Sequence, residues 1–129
     1  ALKIAKKNAL ENTVDVFFFK KDILNDKLKG KYDFIISNPP YVKENEYTSP
    51  ETKYEPSIAL YAKENGLEFY KKIIEIAPHL LNKKGIIIFE IGATLGDEIK
   101  KIALSTYPKA NIIIEKDYNN FDRFMFIET

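Results

Sequence analysis

Asn38-Pro39-Pro40-Tyr41 is the stretch whose residue types and order point most directly to chemistry. Proline fixes its own φ and biases the residue before it toward an extended backbone, so a turn with two successive prolines is stiff. Pro39 and Pro40 have no backbone N–H, so the turn presents carbonyl acceptors without competing donors, and the Asn38 side chain adds another acceptor. Two acceptors held a short distance apart are what an NH₂ group needs for both its protons to be bound. Tyr41 offers a flat face against which a planar amide or a base can pack. An amide nitrogen is a poor nucleophile because its lone pair is delocalised into the carbonyl. Fixing both N–H bonds aims that lone pair at an electrophile such as a sulfonium methyl and stabilises the charge that develops on nitrogen. Positioning and preorganised dipoles, rather than a strong base, are then the catalytic resources. The competing reading is a rigid strand-to-loop turn with no chemistry; the apolar strand that begins at Asp33 and runs directly into the turn favours the functional one.

The elements around this turn alternate. Residues 1–10 read as a helix with apolar positions at Leu2, Ala5, Ala9 and Leu10 and no capping residue before it, which suggests a piece of a longer chain. Residues 14–19, β-branched and aromatic, read as a strand closed by Lys20-Lys21-Asp22, and residues 33–37 as a second strand halted by Asn38. No periodicity is visible over 41–65, and a connection of that length inside a compact domain is usually functional or disordered. Leu67, Tyr70, Ile73, Ile74, Ala77, Leu80 and Leu81 recur at helical spacing over 66–81, with Asn65 as the expected cap. Residues 85–91 form a nearly continuous apolar run, the signature of a strand covered on both faces. A helix over 97–105 and strands over 111–115 and 124–128, joined by a turn at Asn119-Asn120, complete the chain. This order predicts an open α/β sheet with an antiparallel partner at its end. Ligands of such sheets lie beyond the carboxyl ends of the strands, so Asp22, the Asn38 turn and Glu90 are expected to converge.

Bulk properties narrow the class. The 129 residues, 45% apolar and 30% charged, describe an ordinary globular domain or part of one. The net charge of +1 gives no electrostatic case for direct binding to nucleic acid or an anionic membrane. There is no cysteine, which excludes disulfides, thiolate catalysis and cysteine-ligated metal and points to the cytoplasm. No apolar run approaches the roughly 20 residues that span a bilayer, and the acids are too scattered for a metal site. His79, at the end of a helix, reads as solvent-exposed, and Lys6-Lys7, Lys20-Lys21 and Lys100-Lys101 as solvated faces. Phe17-Phe18-Phe19 reads as sheet core, Glu90 as a supporting carboxylate, and Arg123 as the local ion-pair partner of Asp122.

Residues 33–42, Asp-Phe-Ile-Ile-Ser-Asn-Pro-Pro-Tyr-Val, resemble the signature of amino-group methyltransferases with the Asn-Pro-Pro-Tyr motif. Tyr54-Glu55-Pro56-Ser57-Ile58-Ala59-Leu60 followed by Gly66-Leu67-Glu68-Phe69-Tyr70 is similar to the release-factor glutamine methyltransferases of the HemK/PrmC type. Phe89-Glu90-Ile91-Gly92, Lys116-Asp117 and Asp122-Arg123 fit the same family, so the resemblance spans nearly the whole chain in order. It implies a Rossmann-like fold dependent on S-adenosylmethionine, acting on the glutamine of the Gly-Gly-Gln motif in peptide chain release factors. Asn38 would then accept from the glutamine amide through its side chain and Pro39 through its carbonyl, with Pro40 stiffening the turn and Tyr41 packing on the substrate. Asp22 would lie near the cofactor adenine, Asn38 would face both cofactor and substrate, and Glu55 and Pro56 would shape the substrate-side loop. The family's glycine-rich cofactor turn, its ribose-binding acid and its N-terminal helical domain find no counterpart in residues 1–129. The resemblance therefore implies a C-terminal portion of one catalytic domain, truncated on its N-terminal side. Such a chain would carry the substrate half of the site and hold cofactor weakly by itself. A truncated parallel sheet exposes an edge, through which dimerisation is expected.

Two rivals stay open at this level. A nucleic-acid methyltransferase acting on an exocyclic base amine needs the same paired acceptors and aromatic face, but normally adds a basic binding surface. A non-catalytic binding fragment would keep the fold without the activity.

Overall fold

The computed structural model describes residues 1–43 and 59–129. Helix α1 (Leu2–Glu11) opens the chain, with no side-chain hydrogen bond at its N-cap Ala1 and no buried residue. Strand β1 (Tyr32–Ser37) leads into the Asn38 turn. Two short strands follow, β2 (Val42–Lys43) and β3 (Tyr61–Ala62), then a single 3-10 turn (Glu64–Gly66). Helix α2 (Glu68–Leu80), strand β4 (Leu81–Glu90), helix α3 (Gly96–Thr106), and strands β5 (Asn111–Lys116) and β6 (Asp122–Glu128) complete it.

The main sheet has the order β1-β4-β6-β5. β1 and β4 run parallel, with Ser37 opposite Phe89, while β6 is antiparallel to both β4 and β5. This is the α/β sheet with an antiparallel end expected from the pattern of elements. α2 and α3 contact one another and cover one face of the sheet. Beneath them lies the row Ile35, Ile87, Ile127 and Ile112, in register across the four strands, with Ile87 and Ile127 fully buried. Tyr70, Ile73, Ile74 and Ala77 on α2 and Ile99 and Ala103 on α3 close the core from above. The ring of Tyr70 meets that of Phe89 edge to face, with centroids 5.1 Å apart. Its hydroxyl donates to the Glu90 carbonyl at 2.9 Å, which ties α2 to the carboxyl end of β4. Burial, with Tyr41 and Glu90 adding to it, holds this phenol well above its ordinary pKa. Tyr70→Phe removes that bond alone and is expected to destabilise the protein by about 1 kcal/mol. Urea denaturation checks this, and an unchanged midpoint would show that the bond contributes nothing.

Four expectations are corrected. Residues 14–19 form no strand, and Phe17 and Phe19 are 82% and 70% exposed rather than core. A strand needs a neighbour to take its backbone hydrogen bonds, and among the described residues none lies beside this segment. Asp22 therefore follows an irregular segment instead of a strand. β4 is covered on one face only: Ile86 and Ile88 are half-buried, and Ile36, beside Ile88 on that same open face, is 74% exposed. Asn65 does not cap α2. It sits at φ 57° inside the 3-10 turn, and α2 begins without a side-chain cap.

Candidate active site

The Asn38 turn leaves the carboxyl end of β1, where the parallel pairing with β4 brings it alongside Phe89 and Glu90. Pro39 is buried, Pro40 and Tyr41 are half-buried, and Asn38 is exposed. Beyond the turn the backbone is caught again at once. The Val42 N–H donates to the Leu60 carbonyl at 2.9 Å, and β2 pairs in parallel with β3. The turn is thus held by a strand on either side.

Asn38, Pro39 and Pro40 line a cleft of about 1180 Å³. Its walls come from the segment around Asp22 (Phe19, Ile23, Leu24), from β1 (Phe34, Ile36) and from α2 (Phe69, Ile73, Ile76). Typical small-molecule pockets occupy roughly 300–1,000 Å³ and combine apolar walls with a few placed polar groups. This cleft has that apolar character and runs, among the described residues, along the unpaired edge of β1, from Tyr32 to Pro40. Asp22 lines it as well, so the structure brings Asp22 and the Asn38 turn to one cavity. The Asp22 carboxylate accepts from the Leu24 N–H at 3.0 Å and from Asn25 Nδ2 at 2.8 Å. The Asn25 bond and then the Leu24 bond hold its pKa below the ordinary carboxylate value. A fixed, ionised acceptor at the rim of an apolar cleft is suited to an exocyclic amine or a hydroxyl.

Tyr41 is not among the residues that line the cleft. Its ring lies against Gly92 and packs on the core, and its hydroxyl faces Arg123 Nη1 at 3.5 Å. Gly66, at φ +88°, comes so close to the Tyr41 carbonyl oxygen that a Cβ there would overlap it. Glu90 is likewise not among the residues that line the cleft, and its charge contributes to the raised pKa of Arg123. Desolvation opposes that rise, but the Asp117 hydrogen bond and the acidic groups Tyr41, Asp117 and Glu90 outweigh it. The three residues expected to converge thus divide: Asp22 and Asn38 line the cleft, while Glu90 does not. Glu55 and Pro56 lie outside the described residues.

Arg123 does not pair with Asp122. A β-bulge interrupts the β5–β6 register here, with Glu115 opposite Phe124 and Lys116 opposite Asp122, and it sets Arg123 outside the regular alternation. Asp122 meets Lys116 at 3.3 Å, and Arg123 meets Asp117 at 3.1 Å. Gly66, Gly92 and Asp117 are the residues around the turn that sequence reasoning gave no role. The only signals for them were two glycines and an acid in segments that fit the resemblance. Among the described residues no cluster of His, Cys, Asp and Glu could hold a metal ion, and no helix is long and apolar enough to cross a membrane.

An α/β sheet with an antiparallel end and an Asn-Pro-Pro-Tyr turn at the carboxyl end of its outer parallel strand is the architecture of a methyltransferase. Two solved structures share the fold. A methyltransferase from Pyrococcus furiosus superposes with a TM-score of 0.68 at 19% identity, covering 98% of this chain and 56% of that one. The protein-(glutamine-N5) methyltransferase (release factor-specific) from Alicyclobacillus acidocaldarius gives 0.51 at 20% identity, covering 75% and 48%. The chain belongs to the family described as Eco57I restriction-modification methylase, which matches residues 2–122. It is also similar to the release factor glutamine methyltransferase of Bacillus cereus, 37% identical over 133 residues, covering 99% of this chain and 47% of the relative. That of Fusobacterium nucleatum is 40% identical, covering 95% of the chain and 36% of the relative. The resemblance read from the motifs is borne out as one to release-factor glutamine methyltransferases. The chain spans about half the length of the curated relatives it matches.

Proposed function

We propose that the protein containing this chain transfers a methyl group from S-adenosylmethionine to the side-chain amide nitrogen of the glutamine in the Gly-Gly-Gln motif of peptide chain release factors. The observation that carries this reading is the Asn38-Pro39-Pro40 turn, fixed at the carboxyl end of β1 and lining an apolar cleft that Asp22 also lines. The names of the relatives, release factor glutamine methyltransferase, support the amide as acceptor.

In this mechanism the Asn38 side-chain oxygen and the Pro39 carbonyl each accept one N–H of the glutamine amide. The nitrogen is thereby turned so that its lone pair points into the cleft. S-adenosylmethionine, when bound, supplies an electrophilic methyl carbon on sulfur. On transfer its methyl carbon would exchange the bond to sulfur for one to the amide nitrogen, the electron pair remaining with the thioether product. The amide nitrogen, briefly cationic, returns one proton to solvent. The two acceptors stabilise that charge as it develops, which is where preorganised dipoles contribute most. Asp22, with the apolar walls at Ile23 and Leu24, would hold the nucleoside end of the cofactor, the Asp22 carboxylate being an acceptor suited to the adenine amine. Pro40 keeps the turn stiff.

A second reading is favoured by one finding. The matching family is described by its restriction-modification methylases, so an exocyclic base amine is the rival acceptor. The net charge of +1 weighs against it, since a duplex-binding enzyme draws most of its affinity from phosphate contacts. Incubating the protein with a release factor, with RNA and with DNA, and locating the new methyl by mass spectrometry, decides between them. A methyl on the Gly-Gly-Gln glutamine is expected; methylation of a base with none on the release factor would overturn the protein-substrate reading.

A further inference from the structure

The relatives' name specifies a reaction and leaves open what holds the reactive turn in place. The described structure offers one candidate at the back of that turn, on the side away from the cleft. Asp117 opens the β5–β6 connection with its carboxylate fully engaged. One oxygen accepts from the Asn119 and Phe121 backbone N–H groups at 2.9 and 3.1 Å. The other accepts from Arg123 Nε and Nη2 at 3.2 and 3.1 Å. The backbone around this pair is equally fixed, since the Ile91 N–H donates to the Arg123 carbonyl and the Asp117 N–H to the Phe121 carbonyl, both at 2.8 Å. The guanidinium is therefore locked in one plane. Its remaining terminal nitrogen, Nη1, is left pointing at the Tyr41 hydroxyl.

We propose that Arg123, clamped by Asp117, is a positioning residue that fixes Tyr41 and through it the acceptor geometry of the Asn38-Pro39-Pro40 turn; this rests on the methyl-transfer reading above. A surface pair would be a poor candidate for such work, because exposed ion pairs contribute little. This pair is half-buried, and its output is geometric. Tyr41 is held at three points: hydroxyl by Arg123, ring by Gly92, and carbonyl by Gly66. The Tyr41 end of the turn is joined to the acceptors through Pro40 and Pro39, whose fixed φ angles leave little slack. A shift of Tyr41 is therefore passed on to the Pro39 carbonyl rather than absorbed. At 3.5 Å the Arg123–Tyr41 contact is long for a hydrogen bond, so it orients the hydroxyl more than it binds it.

The test uses the whole protein with its methyl acceptor, in Arg123→Gln, Arg123→Lys, Tyr41→Phe and the Arg123→Gln/Tyr41→Phe double variant. Arg123→Gln is expected to lower kcat by roughly 10- to 100-fold with KM little changed, the scale of a misplaced reacting group. Arg123→Lys keeps the charge without the planar fork and should recover only part of that loss. The double variant should be no slower than the slower single one, since both remove the same contact. In parallel, the Tyr41 ring resonances should shift in Arg123→Gln by NMR, a readout that needs no turnover. Unchanged Tyr41 resonances, unchanged kcat, or losses that multiply in the double variant would each overturn the proposal. Should the wild type methylate a base and not the glutamine, the substrate reading fails and the same four variants are compared on that acceptor. A wild type that methylates neither would sink the methyl-transfer reading and the role of Arg123 with it.

Discussion

Asn38→Ala is expected to lower kcat on a release factor by roughly 10²- to 10³-fold, the cost of removing one preorganised polar group from a developing charge. Affinity for S-adenosylmethionine should change far less. The reasoning is local. Asn38 is exposed at the mouth of the cleft, so its side chain does no packing that alanine would lose. The turn keeps its shape without it, because Pro39 is buried, Pro40 is half-buried, and β1 and β2 hold the two ends. What disappears is one of two acceptors for the amide. The other, the Pro39 carbonyl, still binds one N–H, so the substrate docks but its nitrogen is free to rotate out of line. Asn38→Asp restores an acceptor at the same place and should be faster than the alanine variant, though its charge perturbs the site. Steady-state kinetics together with isothermal titration of the cofactor separate the terms. A kcat that stays unchanged while cofactor affinity falls would move Asn38 from the acceptor side of the site to the cofactor side alone.

Much of this site is visible in the residues themselves, and the parts that are not share a physical reason. The β1 run followed by Asn-Pro-Pro is a local signal: β-branched and apolar residues extend the chain, and proline stops it. The α2 periodicity is local in the same sense, and Tyr70, Ile73, Ile74 and Ala77 are buried where that periodicity puts them. Residues 14–19 carry an equally good strand composition and form none, because pairing is decided by neighbours distant in sequence and composition cannot report them. Val42–Lys43 and Tyr61–Ala62 are too short to show any period, so the clasp just beyond the turn was invisible. Adjacency in sequence does not report which acid Arg123 reaches in space. The β-bulge at Arg123 takes it out of the strand's alternation, and Asp117, across the turn, is the acid within reach.

Gly66→Ala is expected to be the most damaging small substitution around the site, although Gly66 touches neither the cleft nor any reacting atom. Two effects add. The residue sits at φ +88°, a left-handed conformation that an L side chain enters only with strain of order 1–3 kcal/mol. The new Cβ would also fall on the Tyr41 carbonyl oxygen, a backbone atom that cannot rotate aside like the end of a side chain. Either the 3-10 turn or Tyr41 must move. If Tyr41 moves, the stiff prolines carry the displacement to the Pro39 carbonyl. Stability should therefore fall by about 2 kcal/mol or more, and kcat should fall together with it, roughly 10²-fold for a displacement near 1 Å. Gly92→Ala supplies the contrast. Its Cβ would meet Tyr41 Cδ2 at 3.1 Å, a side-chain atom on a ring that can tilt by a few tenths of an ångström, and no positive φ is involved. The loss there should be clearly smaller in both stability and rate. Thermal denaturation and kinetics of the two variants side by side test whether the backbone of Tyr41, and not merely its ring, is what the surrounding glycines protect. Equal effects from the two substitutions would mean that it is not.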